Sequence, residues 1–257
     1  MKLPSFVRLT VRNIRVNMDP GTMMFMLGLP ALYLAVLGVM YEGLITSVPG
    51  PNGPISYITF LAPGIIGMQA LTAGNIGGGM LWADRRWGMF EQILVGPFRR
   101  IDYLMGIMLL AVIFSVTGST IMAALAFYTS AHLFVTPANI ILLFITLAIG
   151  TTFFSSLFLI FAVKIKSMNA YNTITIVLFF FLDFASPSFY PITSKTPVAL
   201  KAFIDINPLS YIVYSARDIL SYNQPYSSLG PLLVIFIITM VFLGLAVKLY
   251  GNVQTGV

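Results

Sequence analysis

The chain has 257 residues, of which 58% are hydrophobic and only 9% are charged. Soluble domains carry about 25% charged residues, so this composition excludes an ordinary soluble domain and indicates a membrane protein. The formal charge of +6 does not predict nucleic-acid binding, because the basic residues are spread over separate segments instead of one patch. The lack of cysteine excludes disulfides, thiol catalysis and cysteine-ligated metal.

Residues 3–18 have the pattern of an amphipathic helix with a basic side. Arg8, Arg12 and Arg15 lie beside an apolar stripe at helical spacing. Such a helix lies along a cytoplasmic membrane surface, and the alternative is a plain topology anchor. The stripe consists of Leu3, Val7, Val11, Ile14 and Met18.

Long apolar segments follow, each close to the roughly 20 residues that a helix needs to cross a bilayer. We therefore expect an all-α membrane protein with six transmembrane helices in one membrane-embedded unit over residues 1–257. The remaining residues are too few for a soluble domain. The predicted spans are 22–41, 56–82, 103–130, 138–163, 170–190 and 230–250.

Lysine and arginine fall mainly on one side of these six spans. By the positive-inside rule, that side is cytoplasmic and both termini lie there. Only Lys195, Lys201 and Arg217 fall on the other side. The residues on the cytoplasmic side are Lys2, Arg8, Arg12, Arg15, Arg85, Arg86, Arg99, Arg100, Lys164, Lys166 and Lys248.

The second predicted span carries small residues, Ala70, Gly74 and Gly78, at four-residue spacing. This pattern favours close packing of helices in lipid. Gln69 and Asn75 lie in the same span. They are either interhelical hydrogen-bonding groups or polar groups of a transport pathway.

A charged island, defined here as Trp82 to Arg100, separates the second and third spans. On a helix over 84–97, Trp87, Phe90 and Leu94 share one face, with Arg85 and Glu91 beside it. Gly96-Pro97 ends such a helix. A short amphipathic helix of this kind can dock in a groove of a soluble partner. The alternative is an ordinary basic cytoplasmic loop.

The fifth predicted span ends near Asp183, which is the only carboxylate inside a span. A charge in that position indicates function, although a hydrated structural cap at the outer end of the helix is the alternative. Residues 191–222 are too short to cross and too apolar for a free loop. They predict a re-entrant or interfacial outer region.

The residue inventory gives no support to an enzyme. His132 is the single histidine, and neither a His-Glu-x-x-His pattern nor a phosphate-binding Gly-Lys-Ser/Thr loop occurs. The chain therefore does not hydrolyse ATP through a Walker motif. Because Asp183 is the only carboxylate in a span that could bind a coupling ion, uphill transport needs energy from another molecule.

Three stretches resemble the permeases of ABC-2 type exporters, particularly the daunorubicin-resistance and nodulation-factor branch. Within the island, the sequence Arg-Arg-Trp-Gly-Met-Phe-Glu-Gln-Ile-Leu-Val-Gly-Pro-Phe-Arg-Arg resembles their inner loop. The other stretches are Phe60-Leu-Ala-Pro-Gly-Ile-Ile and Asn207-Pro-Leu-Ser-Tyr-Ile, the second followed by Arg217. The chain departs from the family at Trp87-Gly-Met, where a Gly-Thr pair is commoner.

The resemblance implies a half-transporter in a prokaryotic inner membrane. Two permeases, either a homodimer or a pair with a second permease, would form the pathway, and two separate ATPase subunits would bind ATP and Mg. This chain would have lipid contacts but neither a cofactor nor a metal site of its own. Residues 84–97 would be a coupling helix, 3–18 a connector helix and about 187–222 outer re-entrant helices. The ATPase contacts would be Asp84, Arg85, Arg86, Trp87, Phe90, Glu91 and Leu94.

The predicted function is export of a hydrophobic or amphipathic substrate, such as a drug, lipid or glycolipid. Export of a lipid-linked polysaccharide is the first alternative, and an aromatic-lined groove at the cytoplasmic entrance would favour it. The second alternative is a self-powered channel or carrier.

Overall fold

A computed structural model describes residues 3–45 and 47–251 of the chain, so Lys2 of the predicted basic side lies outside the described residues. Within these ranges the architecture is helical, with one isolated antiparallel bridge between Val48 and Ile55. The helices are α1 (Ser5–Asn17), α2 (Pro20–Met23), α3 (Leu29–Glu42), α4 (Tyr57–Arg86), α5 (Met89–Val95), α6 (Arg100–Tyr128), α7 (Pro137–Lys164), α8 (Met168–Phe184), α9 (Val198–Ile206), α10 (Pro208–Leu220) and α11 (Leu229–Gly251), and a π-helical segment (Met24–Gly28) joins α2 to α3.

Five helical segments in the described ranges are long and apolar enough to cross a membrane. They are Pro20–Gly38, α4, α6, α7 and α11, which match five of the predicted spans to within a few residues. The protein is thus a multi-pass membrane protein.

The predicted fifth span, 170–190, is wrong at its end, because α8 stops at Phe184 and has 17 residues. Pro187 disfavours helical geometry at Ser186. The side-chain amide of Asn207 also donates to the carbonyl oxygens of Leu182 (2.7 Å) and Ala185 (2.8 Å), which ends the helix. A sixth crossing by α8 stays a prediction.

Helix α4 forms the centre of the bundle. Its membrane-spanning part is buried by the surrounding helices, chiefly α6 and α7. Gly74 and Gly78 lie against the backbone of α7 at Phe154 and Phe158, so closely that an added methyl group would collide with it. The small-residue stripe of the sequence therefore packs within this chain.

Two of the sequence motifs meet where α4 begins. Pro63 cannot donate to the carbonyl oxygen of Thr59, and the hydroxyl of Ser221 donates to that oxygen instead, at 2.6 Å. Gly64 leaves room for the backbone of Ser188. Arg217 is buried over the ring of Phe60, 3.7 Å from its centroid. These contacts fix α10 and the segment after α8 against α4.

Helix α1 packs on α6 through Leu9 and Thr10, which contact the backbone around Gly106. The buried side of α1 is therefore not the predicted apolar stripe. In that stripe Leu3, Val11 and Met18 are exposed, and Val7 and Ile14 are half-buried. The exposed members of the stripe stay available for a membrane surface.

Candidate functional site

The charged island is divided between two helices. Asp84, Arg85 and Arg86 form the last turn of α4, and α5 begins only at Met89. Gly88 joins the helices in the left-handed conformation, with φ 68°. A residue in this conformation commonly ends a helix, and glycine adopts it without steric strain. The prediction of one continuous helix over 84–97 is therefore wrong.

Asp84 is buried and connects three helices. Its carboxylate accepts hydrogen bonds from both terminal nitrogens of Arg12 in α1, at 2.8 and 3.1 Å. It also accepts one from the hydroxyl of Tyr103 in α6, at 2.8 Å. The hydrogen bond to Asp84 raises the pKa of Arg12, which stays charged. The partners of Asp84 thus lie inside this chain.

Trp82 and Arg85 hold the end of α7. The indole nitrogen of Trp82 donates to the carbonyl oxygen of Ile165, at 3.2 Å, and Arg85 donates to that of Ala162, at 3.0 Å. These carbonyl groups have no partner within their own helix, so the two side chains act as a cap.

Phe90 points into the protein, contrary to the predicted exposed face. It is 1% exposed and packs edge-on against Tyr103 and Tyr250, with ring centroids 5.3 and 5.9 Å apart. Leu94, one turn later, is half-buried. The turn at Gly88 changes the phase of the helix, so Phe90 and Leu94 anchor α5 to α6 and α11.

The opposite side of this segment is open. Trp87 is 73% exposed and Val95 is 90% exposed, and Glu91 and Gln92 are exposed between them. We call these four residues the exposed face of the island. Sequence reasoning identified Trp87 and Glu91 but missed Gln92 and Val95. Its position in the sequence could have indicated that Val95 is exposed on the same face as Glu91. It is an apolar residue four positions after Glu91 and directly before Gly96-Pro97, which ends the helix.

A cleft of about 310 Å³ lies beside the exposed face. Arg85, Arg86 and Lys166 make it basic, and Glu91 contributes one carboxylate. Three cations and one carboxylate give this cleft a charge pattern that complements an acidic surface.

Comparison with known families decides the class of the molecule. The ABC-2 type transporter family matches residues 5–221. The chain belongs to this family. A search of curated proteins found no match. The protein is thus the membrane permease of an ABC transporter, a class that pairs with a separate ATPase.

The polar residues predicted for a pathway are not brought together in the permease. Gln69 is buried beside Gly118, and its amide has no hydrogen-bond partner among the described residues. Asn75 is half-buried and faces a groove towards α8. Asp183 is fully buried near the far end of α8. The hydrated cap suggested for Asp183 is therefore wrong in the isolated chain.

Proposed function

We propose that this permease is the membrane subunit of an ATP-driven exporter in a prokaryotic inner membrane. Two copies of the chain, or one copy with a second permease, form the pathway, and two ATPase subunits bind ATP and Mg in the cytoplasm. The substrate is hydrophobic or amphipathic, such as a drug, lipid or glycolipid. The ATPase docks on the exposed face of the island.

The observation that carries the proposal is the two-sided construction of the segment from Trp87 to Val95, which includes α5. One side presents Trp87, Glu91 and Val95 to solvent, and the other buries Phe90 against Tyr103 and Tyr250. Protein interiors are packed as densely as organic crystals. A displacement of the exposed side by a docked partner is therefore transmitted through Phe90 to α6 and α11. Asp84 extends the same connection from α6 to α1 and α4.

A self-powered carrier is less well supported. Carriers bind their coupling ion through intramembrane ionisable groups that reach a water-filled cavity. Asp183 is 0% exposed, so its carboxylate does not open to water among the described residues. Energy from a docked ATPase removes the need for such a group.

The test is the ATPase activity of the assembled complex. The tagged permease is purified from its own host together with the ATP-binding-cassette subunit and reconstituted in liposomes. Glu91→Ala should lower the permease-dependent ATPase rate at least about tenfold, because a lost charge pair at an interface costs about 2–5 kcal/mol. Val95→Asp should lower it as much, because it places an unpaired carboxylate in the apolar part of the interface.

The matched control is Val198→Asp, since Val198 is 85% exposed on α9, far along the chain from the island. This variant should keep the wild-type rate. If Glu91→Ala and Val95→Asp also keep it, the exposed face does not dock the ATPase and the island is only a topology signal.

A further inference from the structure

A pocket of about 380 Å³ lies at the opposite end of the bundle from the island. Phe60 in the first turn of α4, Arg217 in α10, Lys201 in α9 and Pro187 after α8 contribute to its walls. Phe60 and the island lie at the two ends of α4, so the pocket belongs to the outer side of the predicted topology. We call it the outer pocket, and the ATPase docking proposed above uses none of its residues.

Arg217 brings a buried positive charge to the outer pocket. The residue is 4% exposed, and its Nε and Nη2 atoms donate to the carbonyl oxygens of Phe60 (3.3 Å) and Pro187 (2.8 Å), which are neutral. The other terminal nitrogen, Nη1, has no hydrogen-bond partner among the described residues and is not sealed by them. Burial lowers the pKa of Arg217 to about 10, so the guanidinium is charged at neutral pH. A buried cation without a paired anion is unfavourable, so Nη1 favours an anionic oxygen as its partner.

The outer pocket contains charges of both signs. Lys201 adds a second cation to its lining, and Asp205 and Asp218 add two carboxylates. Within the described part of the chain, no ion pair joins any two of these side chains and Arg217. Burial raises the pKa of Asp218 to about 6, although Arg217 opposes this effect, so most of this carboxyl is ionised at neutral pH. An anion alone would meet the carboxylates and a cation alone would meet Arg217, so the pocket complements a ligand with one charge of each sign.

Helix α9 places the outer pocket at the depth of lipid head groups. Lys201 and Asp205 lie one turn apart on the side of α9 that lines the pocket. Phe203 and Ile206, on another side of the helix, are 45% and 72% exposed. The ring of Phe203 packs edge-on against that of Phe181 in α8, with centroids 5.6 Å apart. A short helix with a charged side and an exposed apolar side lies at the boundary between head groups and hydrocarbon.

We infer that the outer pocket binds the zwitterionic head group of an outer-leaflet phospholipid, with its phosphate at Arg217 and Lys201 and its ammonium group at Asp205 and Asp218. Guanidinium and ammonium groups donate charge-assisted hydrogen bonds to phosphate, and the primary ammonium of a phosphatidylethanolamine donates them to carboxylates. The lipid is a resident partner that joins α9 and α10 at the membrane surface. This role goes beyond the proposed function, because the lipid takes no part in ATPase docking.

Native mass spectrometry of the full-length permease, delipidated in a nonionic detergent, measures the binding directly. The probes are dioctanoyl phosphatidylethanolamine, dioctanoyl phosphatidylglycerol and dioctanoyl trimethylammonium propane, which share their tails and differ in the charge of the head group. We expect the first phosphatidylethanolamine to bind at least about tenfold more tightly than either of the other lipids, because each of those leaves charges of the pocket without a partner.

Asp205→Asn combined with Asp218→Asn removes both carboxylates and nearly preserves the shapes of the side chains. The double variant should bind phosphatidylethanolamine at least about tenfold more weakly, because the ammonium group loses its charged acceptors. It should bind phosphatidylglycerol more tightly than the wild type does, because the pocket then has an excess of positive charge. A loss of structure would instead weaken the binding of both lipids.

Lys201→Gln tests the phosphate end of the pocket, since Arg217 also holds α10 against α4 and its replacement could unfold the region. This variant should bind both phosphate-bearing lipids about two- to fivefold more weakly, a modest effect because Lys201 is exposed. The matched control is Lys195→Gln, at an exposed lysine of the same connection that does not line the pocket. It should bind as the wild type does.

The inference is overturned if phosphatidylglycerol or the cationic lipid binds to the wild type as tightly as phosphatidylethanolamine does. It is also overturned if the double variant keeps the wild-type preference, or if Lys201→Gln and Lys195→Gln bind alike. O-Phosphoethanolamine has the same head group without tails, and binding as tight as that of the lipid would identify a soluble zwitterion as the ligand instead. No ATPase is present, so failure of this experiment and failure of the ATPase assay are distinguishable.

Discussion

Asp84 illustrates how much of the island serves the fold of the permease itself. Its carboxylate is buried and joins α1 and α6 to α4 through Arg12 and Tyr103. Glu91, seven residues later, is exposed and has no such bonds among the described residues. Two acidic side chains of one segment therefore have different roles, one inside the protein and one at its surface.

Asp84→Asn should destabilise the permease. It removes the charge that pairs with Arg12 and weakens the hydrogen bond from Tyr103. Hydrogen bonds to charged groups contribute about 1.5–3 kcal/mol, so the thermal midpoint in detergent should fall by roughly 4–8 °C. Glu91→Gln is the control and should leave the midpoint unchanged. Equal midpoints for the two variants would contradict the structural role of Asp84.

At the level of single residues, the sequence identifies the right segment but predicts the wrong face to be exposed. A helical projection places Trp87, Phe90 and Leu94 together only if the helix is continuous. Gly88 interrupts the helix, so the residues after it do not continue the helical spacing of α4. Phe90 is therefore buried, and Val95 is the exposed apolar residue. The partners of Asp84 lie 72 and 19 positions away in the chain. Local patterns do not reveal such distant contacts.

Helix α4 is the element around which the others are arranged. Its glycines allow the backbone of α7 to approach closely. Near its start, Pro63 and Gly64 allow α10 and the segment after α8 to pack against its first turns. Most spans are predictable from the sequence, because an apolar run of sufficient length is a strong signal. The early end of α8 is not, since it depends on Asn207, a residue from a later element.

Gly78→Ala should disrupt the contact between α4 and α7. The added methyl group would lie 2.8 Å from the backbone carbon of Phe158 and 2.9 Å from the nitrogen of Leu159. Overpacking costs about 1–3 kcal/mol, so the thermal midpoint should drop by several degrees. Gly244→Ala is the control, because Gly244 has open space around it on α11. A stable Gly78→Ala variant would show that the two helices do not pack as described.

Across the molecule as a whole, the described residues contain five clear candidate spans and α8, whose 17 residues extend about 25 Å. A hydrocarbon core is about 30 Å thick, so α8 crosses only with help from the residues after it. The excess of lysine and arginine on one side still predicts six crossings, with both termini in the cytoplasm.

Cysteine labelling tests this topology, and the chain has no native cysteine to interfere. Cysteines introduced at Ser47 and His132, both exposed, should react from outside intact cells. Cysteines at Arg86 and Lys166 should react only after permeabilisation. Labelling of Lys166→Cys from outside, or the reverse of the whole pattern, would contradict the six-span arrangement.

The most direct test of the account is whether an ATPase covers the exposed face of the island. Val95→Cys and Val198→Cys are labelled with a maleimide in the permease alone and in the complex that hydrolyses ATP. We predict that assembly slows labelling of Val95→Cys at least about tenfold and leaves that of Val198→Cys unchanged, because a docked partner excludes the reagent from buried surface. Equal labelling of Val95→Cys with and without the ATPase, in an active complex, would contradict it.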